Sequence, residues 1–150
     1  MRLTLRFFTL FSASMFASFT VYAAEFSTSL LKPAPIGAEG VINASFPPGG
    51  GRMAYYFSVD LQKGDLLTQI SFKGRSGSEK RVELALLNAN AGLVSAYWIQ
   101  GTEPQKDAAR HFPIETLGRQ ILRLTVSGPE TDEFRIEFGG RAFSASTAPK

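Results

Sequence analysis

The chain has 150 residues, no cysteine and a formal net charge of +3. This length suits one domain with a single core, and the lack of cysteine excludes disulfides, thiolate zinc sites and a thiol nucleophile. Without Arg2 and Arg6, which lie in a segment that we expect to be cleaved, the net charge falls to +1. The charge therefore gives no support to nucleic acid binding.

Residues 1–23 have the pattern of a secretory signal peptide. Arg2 and Arg6 supply a charged start, residues 7–20 form an apolar stretch, and small residues precede a predicted cleavage after Ala23. The apolar stretch is shorter than the roughly 20 residues that span a bilayer. We therefore expect a periplasmic or secreted bacterial protein with no stable membrane insertion after cleavage.

Residues 24–40 predict an extended lead-in, because prolines 33 and 35 cannot lie inside a helix or a central strand. Short segments with a two-residue apolar period then alternate with turns, which is typical of a β-sandwich. Residues 139–150 show no such period and predict a flexible tail. The predicted strands are 41–46, 53–59, 66–73, 82–86, 94–98, 110–114, 121–126 and 134–138.

These strands predict an all-β domain over residues 41–138, built as a two-sheet antiparallel β-sandwich, jelly-roll-like, with about eight short strands. Two sheets are expected because a single open sheet would leave a row of Phe, Leu and Ile side chains in water. In strand 94–98 we assign Val94, Ala96 and Trp98 to the inward row, which places Tyr97 outward.

Basic residues cluster around segment 74–80, which we interpret as a polar hairpin. Lys73, Arg75, Lys80 and Arg81 are candidate ligands for an acidic glycan, a lipid headgroup or the carboxylates of an enzyme cleft. The alternative is a solvated hairpin that has no ligand, since charged loops are common on soluble proteins.

Aromatic residues give a second candidate surface. Tyr56 and Tyr97 are expected to point away from the rows that contain Phe57 and Trp98, so Tyr56, Tyr97 and Trp98 are candidate contacts for a sugar or a protein. The alternative is that strands cover both faces and these rings belong to the core.

Catalytic and metal-binding patterns are weak. His111 is the one histidine, and no pattern places a serine or a glutamate beside it as a catalytic triad requires. Asp60 and Asp65 bracket a turn and are expected to cap it, because a hard cation needs about six oxygen ligands. We therefore predict no enzyme activity, no catalytic residue, no metal site and no cofactor.

Several short hydrophobic segments follow one another in a recognisable order: Tyr55-x-Phe57-x-Val59, Lys63-Gly64-Asp65-Leu66, Val82-x-Leu84-x-Leu86, Leu122-x-Leu124-x-Val126 and Phe134-x-Ile136. Over residues 40–138 this order resembles that of the bacterial pre-peptidase C-terminal domain. The resemblance implies a jelly-roll-like sandwich that serves as an accessory or binding module. Some members of that family bind calcium through acidic residues before the aromatic strand, where this chain has Gly51-Arg52-Met53-Ala54.

A second stretch, residues 117–123, is similar to the periplasmic inhibitors of g-type lysozyme. In that family a glycine turn leads into a strand of the form aromatic-x-x-Arg, and Arg123 falls on the arginine while Ile121 replaces the aromatic residue. The resemblance implies an inhibitory loop, carrying Arg119 or Arg123, that enters the acidic cleft of a lysozyme-type hydrolase.

Taken together, the sequence predicts an exported, non-enzymatic binding module. Its expected partner is a protein or a glycan of the cell envelope or the extracellular space. The alternative function is that of a periplasmic inhibitor of a lysozyme-type glycosidase.

Overall fold

The computed structural model describes residues 26–75 and 77–144. Residues 1–25, with the predicted signal peptide, lie outside this range, as do Ser76 and residues 145–150. The elements are β1 (Ala34–Pro35), β2 (Val41–Ser45), a 3-10 turn (Pro48–Gly50), β3 (Met53–Leu61), β4 (Gly64–Lys73), β5 (Lys80–Leu87), β6 (Leu93–Gly101), β7 (Gln105–Lys106), β8 (Arg110–Ile114), β9 (Gly118–Ser127), β10 (Glu133–Gly139) and α1 (Arg141–Ser144).

These strands form two packed sheets. Sheet A has the order β1-β3-β9-β5-β6, and sheet B has the order β2-β10-β4, with β7 and β8 both paired to the remaining edge of β4. Apart from the two-residue strands β1 and β7, the sheets read β3-β9-β5-β6 and β2-β10-β4-β8, which is a jelly roll. The predicted antiparallel jelly-roll sandwich is thus confirmed, with one short parallel pair between β1 and β3.

The core lies between the sheets and is built from alternate residues of each long strand. Phe57 and Leu124 of sheet A and Ile70, Phe134 and Ile136 of sheet B are almost completely buried. Each such side chain contributes roughly 1.5–3 kcal/mol through the removal of apolar surface from water. These inward rows fix which residues of the same strands face solvent.

Segment 74–80 is not a hairpin, so that prediction is wrong. β4 belongs to sheet B and β5 to sheet A, and residues 74–79 therefore carry the chain from one sheet to the other. The polar composition predicted a surface connection but could not tell a hairpin from a crossover, because both need the same turn residues.

A buried ion pair holds this crossover. The Lys80 ammonium lies 2.9 Å from the Asp132 carboxylate and donates to the backbone oxygens of Arg75 and Ser78 at 2.9 and 3.0 Å. Asp132 in turn accepts a hydrogen bond from the backbone N–H of Arg75. The hydrogen bond from Lys80 holds the pKa of Asp132 below its usual range, although burial opposes this shift.

The predicted flexible tail, residues 139–150, includes residues that are ordered, so its predicted start is too early in the chain. Residues 141–144 form a helical turn in which Ala142 and Phe143 are buried, and the Phe143 ring stacks on Phe138 at 6.1 Å between centroids. The sequence shows no period here because the segment is too short for one. Among residues 26–75 and 77–144, no helix is long and apolar enough to cross a membrane.

Candidate functional site

Several of the predicted site residues lie on the outer face of sheet A. The pairing of the strands places Tyr56 of β3 opposite Arg123 of β9, and Glu83 of β5 opposite Trp98 of β6. Arg81 lies two residues from Glu83 on the same face, opposite Gln100. We call this surface the tryptophan face and define it by Tyr56, Arg81, Glu83, Trp98, Gln100 and Arg123.

Trp98 is the large aromatic group of this face, and its side chain is 55% exposed. The Arg81 guanidinium lies 5.0 Å from the centre of the ring, as a cation–π contact. Such a contact is worth about 0.5–1 kcal/mol at an exposed site and limits the orientations of the indole. The ring is therefore restrained on the side of Arg81 and leaves much of its surface in water.

Glu83 lies between two arginines. One carboxylate oxygen accepts a hydrogen bond from Arg81 at 3.1 Å, and the other is 3.7 Å from the Arg123 guanidinium. Gln100 accepts a further hydrogen bond from Arg81 at 3.2 Å and donates to Glu79. The polar groups of the tryptophan face thus restrain one another beside the aromatic ring.

This arrangement suits a ligand that has both apolar and hydroxyl-rich surfaces. Each guanidinium carries five N–H donors, so Arg81 and Arg123 retain donors beyond those that they give to Glu83. An indole presents a flat apolar surface at low entropic cost. The face can therefore stack a ring while donors and an acceptor bind the groups around its edge.

The tryptophan face is long enough for an extended ligand. Tyr56 and Trp98 lie on β3 and β6, which are separated by β9 and β5. Strands lie about 4.8 Å apart, so these two residues are about 14 Å apart across the sheet. The face joins Tyr56, Trp98 and Arg81 from the predicted binding residues with Arg123 from the predicted inhibitory loop.

The inward and outward rows of β6 are reversed relative to the prediction. Val94, Ala96 and Trp98 face solvent, whereas Tyr97 points toward sheet B. The Tyr97 hydroxyl hydrogen-bonds to Thr68 at 2.8 Å and its ring contacts Phe112. Burial raises the pKa of Tyr97, and the residue is a packing group and not part of the tryptophan face.

The basic cluster around the crossover does not form one site. Lys80 is fully buried, so its assignment as a ligand contact is wrong; its ammonium is used by Asp132. Lys73 pairs with Glu133 at 3.2 Å on the outer face of sheet B, where it lines a groove of about 390 Å³. The Arg75 side chain is exposed, and its backbone holds Lys80 and Asp132.

Arg119 and Arg123 do not lie on a loop, which corrects the predicted inhibitory loop. Both belong to β9, whose partners β3 and β5 flank it on either side. Arg119 pairs with Asp60 at 3.4 Å and is well exposed, while Arg123 is half-buried beside Glu83. A flat sheet cannot insert into a narrow cleft as a projecting loop does.

His111 and the two aspartates of the predicted turn are surface groups. His111 lies 4.0 Å from Asp65, and both side chains are exposed, whereas Asp60 is next to Arg119. The two aspartates thus have separate partners. In the part of the chain that the structure describes, no three His, Cys, Asp or Glu side chains cluster as metal ligands would.

Sequence reasoning missed Glu83 and Gln100. The signal for Glu83 was present, because it stands between Val82 and Leu84 in a strand whose inward row was recognised. Its position beside Trp98 could not be predicted, because the β5–β6 pairing contains a bulge. Leu93 and Ser95 are opposite neighbouring residues of β5, and Val94 between them has no partner. Such a bulge changes which residue of β6 lies opposite a given residue of β5.

The molecule is thus a jelly-roll β-sandwich with an exposed aromatic and arginine-rich surface on sheet A. The sequence matches no family model and no curated protein. The two family resemblances drawn from the sequence therefore stay predictions.

Solved structures show a partial likeness in backbone course. One is TmCBM61 in complex with β-1,4-galactotriose, at 14% identity and a TM-score of 0.42 over 68% of each chain. A second, described as "CBM4 structure and function", has 10% identity and a TM-score of 0.41 over 70% of this chain and 81% of that one. A third is an arabinose-bound α-L-arabinofuranosidase, MgGH51, at 15% identity and a TM-score of 0.39 over 76% of this chain and 23% of the other.

Proposed function

We propose that this chain is an exported, non-catalytic module that binds a glycan on the tryptophan face. The observation that carries the proposal is the exposed Trp98 ring, oriented by Arg81 and adjacent to a carboxylate that two arginines hold. Sugars offer an apolar ring surface for stacking and hydroxyl groups that both donate and accept hydrogen bonds. The tryptophan face offers the complementary groups in one plane.

The engagement of Glu83 supports a binding role over hydrolysis. Its two carboxylate oxygens are held by Arg81 and Arg123. Glu79, a second carboxylate beside this face, accepts a hydrogen bond from Gln100. Glycosidases use one carboxyl group as a proton donor and another as base or nucleophile, and a carboxylate whose oxygens are both engaged by guanidinium groups is not free for either role.

The tryptophan face makes a direct prediction. Replacing Trp98 with alanine is expected to weaken glycan binding roughly thirtyfold, because an anchoring aromatic contributes about 2 kcal/mol or more. Trp98→Phe should retain part of the affinity, since a smaller ring still stacks. The measurement is affinity electrophoresis of the mature domain in gels that contain immobilised bacterial or plant polysaccharides.

Leu31→Ala is the matched control, because Leu31 is also an exposed apolar side chain but lies outside the tryptophan face. This variant should be retarded like the unsubstituted protein. The proposal fails if no polysaccharide retards the unsubstituted protein, or if Trp98→Ala migrates like Leu31→Ala. Thermal melting of all variants separates lost binding from lost folding.

The inhibitor function requires an arginine that projects into an acidic cleft. Arg119 and Arg123 both belong to the central strand β9 and pair with Asp60 and Glu83, so neither is carried on a projecting loop. This geometry favours a broad ligand on the tryptophan face. Binding of a glycan is therefore our preferred function.

Export is part of the same proposal and rests on the charged start and apolar stretch of residues 1–23. Expression of the full chain in a bacterium should yield a periplasmic or secreted product that begins at Ala24. N-terminal sequencing of the purified protein tests this. A product that retains residues 1–23 in the cytosol would refute export and leave the tryptophan face untouched.

A further inference from the structure

We propose that β6 pairs edge to edge with β6 of a second copy of this chain, around a two-fold axis. The edge strand of a sheet has a free row of N–H and C=O groups, which recruit other strands unless the edge is short, charged or interrupted by proline. β6 has a bulge at Val94, near its start, and none of these protections from Ser95 to Gly101. Its nine residues, LVSAYWIQG, include neither a charged side chain nor a proline.

The other sheet edges are protected in the ways that β6 is not. β1 has two residues and includes Pro35, and β7 has two residues and includes Lys106. β8 contains Arg110 and Pro113. β2 has only five residues and is followed by two prolines. In the described part of the chain, β6 is thus the long edge without a barrier to pairing.

Apolar exposure is concentrated on the same strand. Six large hydrophobic side chains are exposed among the described residues, and Leu93, Val94 and Trp98 of β6 account for half of them. Within the described residues, β6 pairs only with β5, so its other edge is available. A partner strand would satisfy the backbone groups of this edge and bring the two Trp98 side chains next to each other.

The register of β6 points to a second copy as the occupant. After the bulge at Val94 the strand is regular from Ser95 to Gly101, and Trp98 is the midpoint of this segment. A two-fold axis at Trp98 therefore pairs all seven residues of one copy with those of another, with Ala96 opposite Gln100. No charged side chains of the two strands meet, so self-pairing carries no electrostatic penalty.

Pairing of this kind ends with two copies. Each copy contributes its one unprotected edge, and the edges that remain at the ends of the joined sheet are short or carry proline. The expected product is a dimer and not a fibre. The two tryptophan faces would then form one continuous surface with the Trp98 rings at its centre. The pairing does not depend on the proposed glycan function.

The first test is the molar mass of the mature protein by light scattering at high micromolar concentration. The unsubstituted chain should be a dimer, whereas Trp98→Lys should be a monomer, because it places two like charges on the axis. Leu31→Lys, a matched change of an exposed apolar residue far from β6, should remain a dimer. A monomeric unsubstituted protein overturns the proposal.

The second test uses the absence of cysteine from the chain. A mixture of Ala96→Cys and Gln100→Cys should form a disulfide-linked heterodimer under mild oxidation, because paired Cα atoms are about 4.5–5.5 Å apart. Each variant alone should link far more slowly, as should Ala38→Cys mixed with either. Faster linking of Ala96→Cys alone overturns the axis at Trp98, and equal linking in every sample overturns edge pairing. Both readouts are independent of glycan binding, so failure of one proposal leaves the other testable.

Discussion

Lys80→Met is expected to lower the melting temperature by on the order of 10 °C, because it leaves the Asp132 carboxylate buried without a counter-charge. Lys80 and Asp132 are both almost completely inaccessible, and their charged groups are 2.9 Å apart. The substitution also removes the donor to the backbone oxygens of Arg75 and Ser78. Differential scanning calorimetry of the mature domain gives the melting temperature.

Lys73→Met is the matched control. Lys73 also pairs with a carboxylate, that of Glu133 at 3.2 Å, but its side chain is largely in water. Exposed ion pairs contribute about 0–1 kcal/mol, so this variant should melt within a few degrees of the unsubstituted protein. The double variant Lys80→Met/Asp132→Leu should melt above Lys80→Met, since it removes the stranded charge. Equal melting temperatures for Lys80→Met and Lys73→Met would refute the role of burial.

The same pair predicts how stability depends on pH. Hydrogen bonding lowers the folded-state pKa of Asp132, chiefly through Lys80, and that of Glu137 through Arg135. A carboxylate whose pKa is lowered by folding stabilises the protein above its unfolded pKa, about 3.9 for Asp. That contribution disappears as the pH falls through the folded-state pKa. Below about pH 4, the free energy of unfolding should therefore fall less steeply in Lys80→Met/Asp132→Leu than in the unsubstituted protein.

The sandwich could be predicted because its long strands have a two-residue apolar period, and this period can be recognised within a short segment of sequence. It did not reveal that the chain crosses between the sheets after β4. The turn residues of segment 74–80 would suit a hairpin equally well. The buried Lys80 that marks the crossover depends on Asp132, which lies far away in the sequence. A contact between distant residues leaves no local pattern.

Only part of the candidate site was predicted, again because distant contacts decide which side chains are exposed. Tyr56 and Arg81 were correctly assigned to the surface. Tyr97 was predicted to point outward and Trp98 inward, and the structure shows the reverse. Both rows of β6 contain an aromatic residue, so alternation alone does not decide which of them is buried. The decision comes from the partners: Thr68 and Phe112 bind Tyr97 from sheet B, and Arg81 stacks on Trp98.

The C-terminal segment provides the second large effect. Ending the chain after Gly140 is expected to destabilise the domain by about 3–5 kcal/mol, because removal of a buried phenylalanine leaves a cavity. The Phe143 ring packs on Phe138 and lies so close to Gly40 that a Cβ atom there would be 2.7 Å from it. Urea unfolding of the shortened chain, followed by tryptophan fluorescence, measures this loss.

Two further variants separate the packing of Phe143 from loss of the terminus. Ending the chain after Ser144 removes residues 145–150 but keeps Ala142, whose backbone oxygen accepts a hydrogen bond from Gln62 at 3.0 Å. This chain should unfold within about 0.5 kcal/mol of the full-length protein. Phe143→Ala in the full-length protein should reproduce most of the loss in stability, because it removes the same buried ring as the truncation after Gly140. If both shortened chains unfold at the same urea concentration, α1 does not contribute to the core, and the flexible tail that the sequence predicts from residue 139 would be correct.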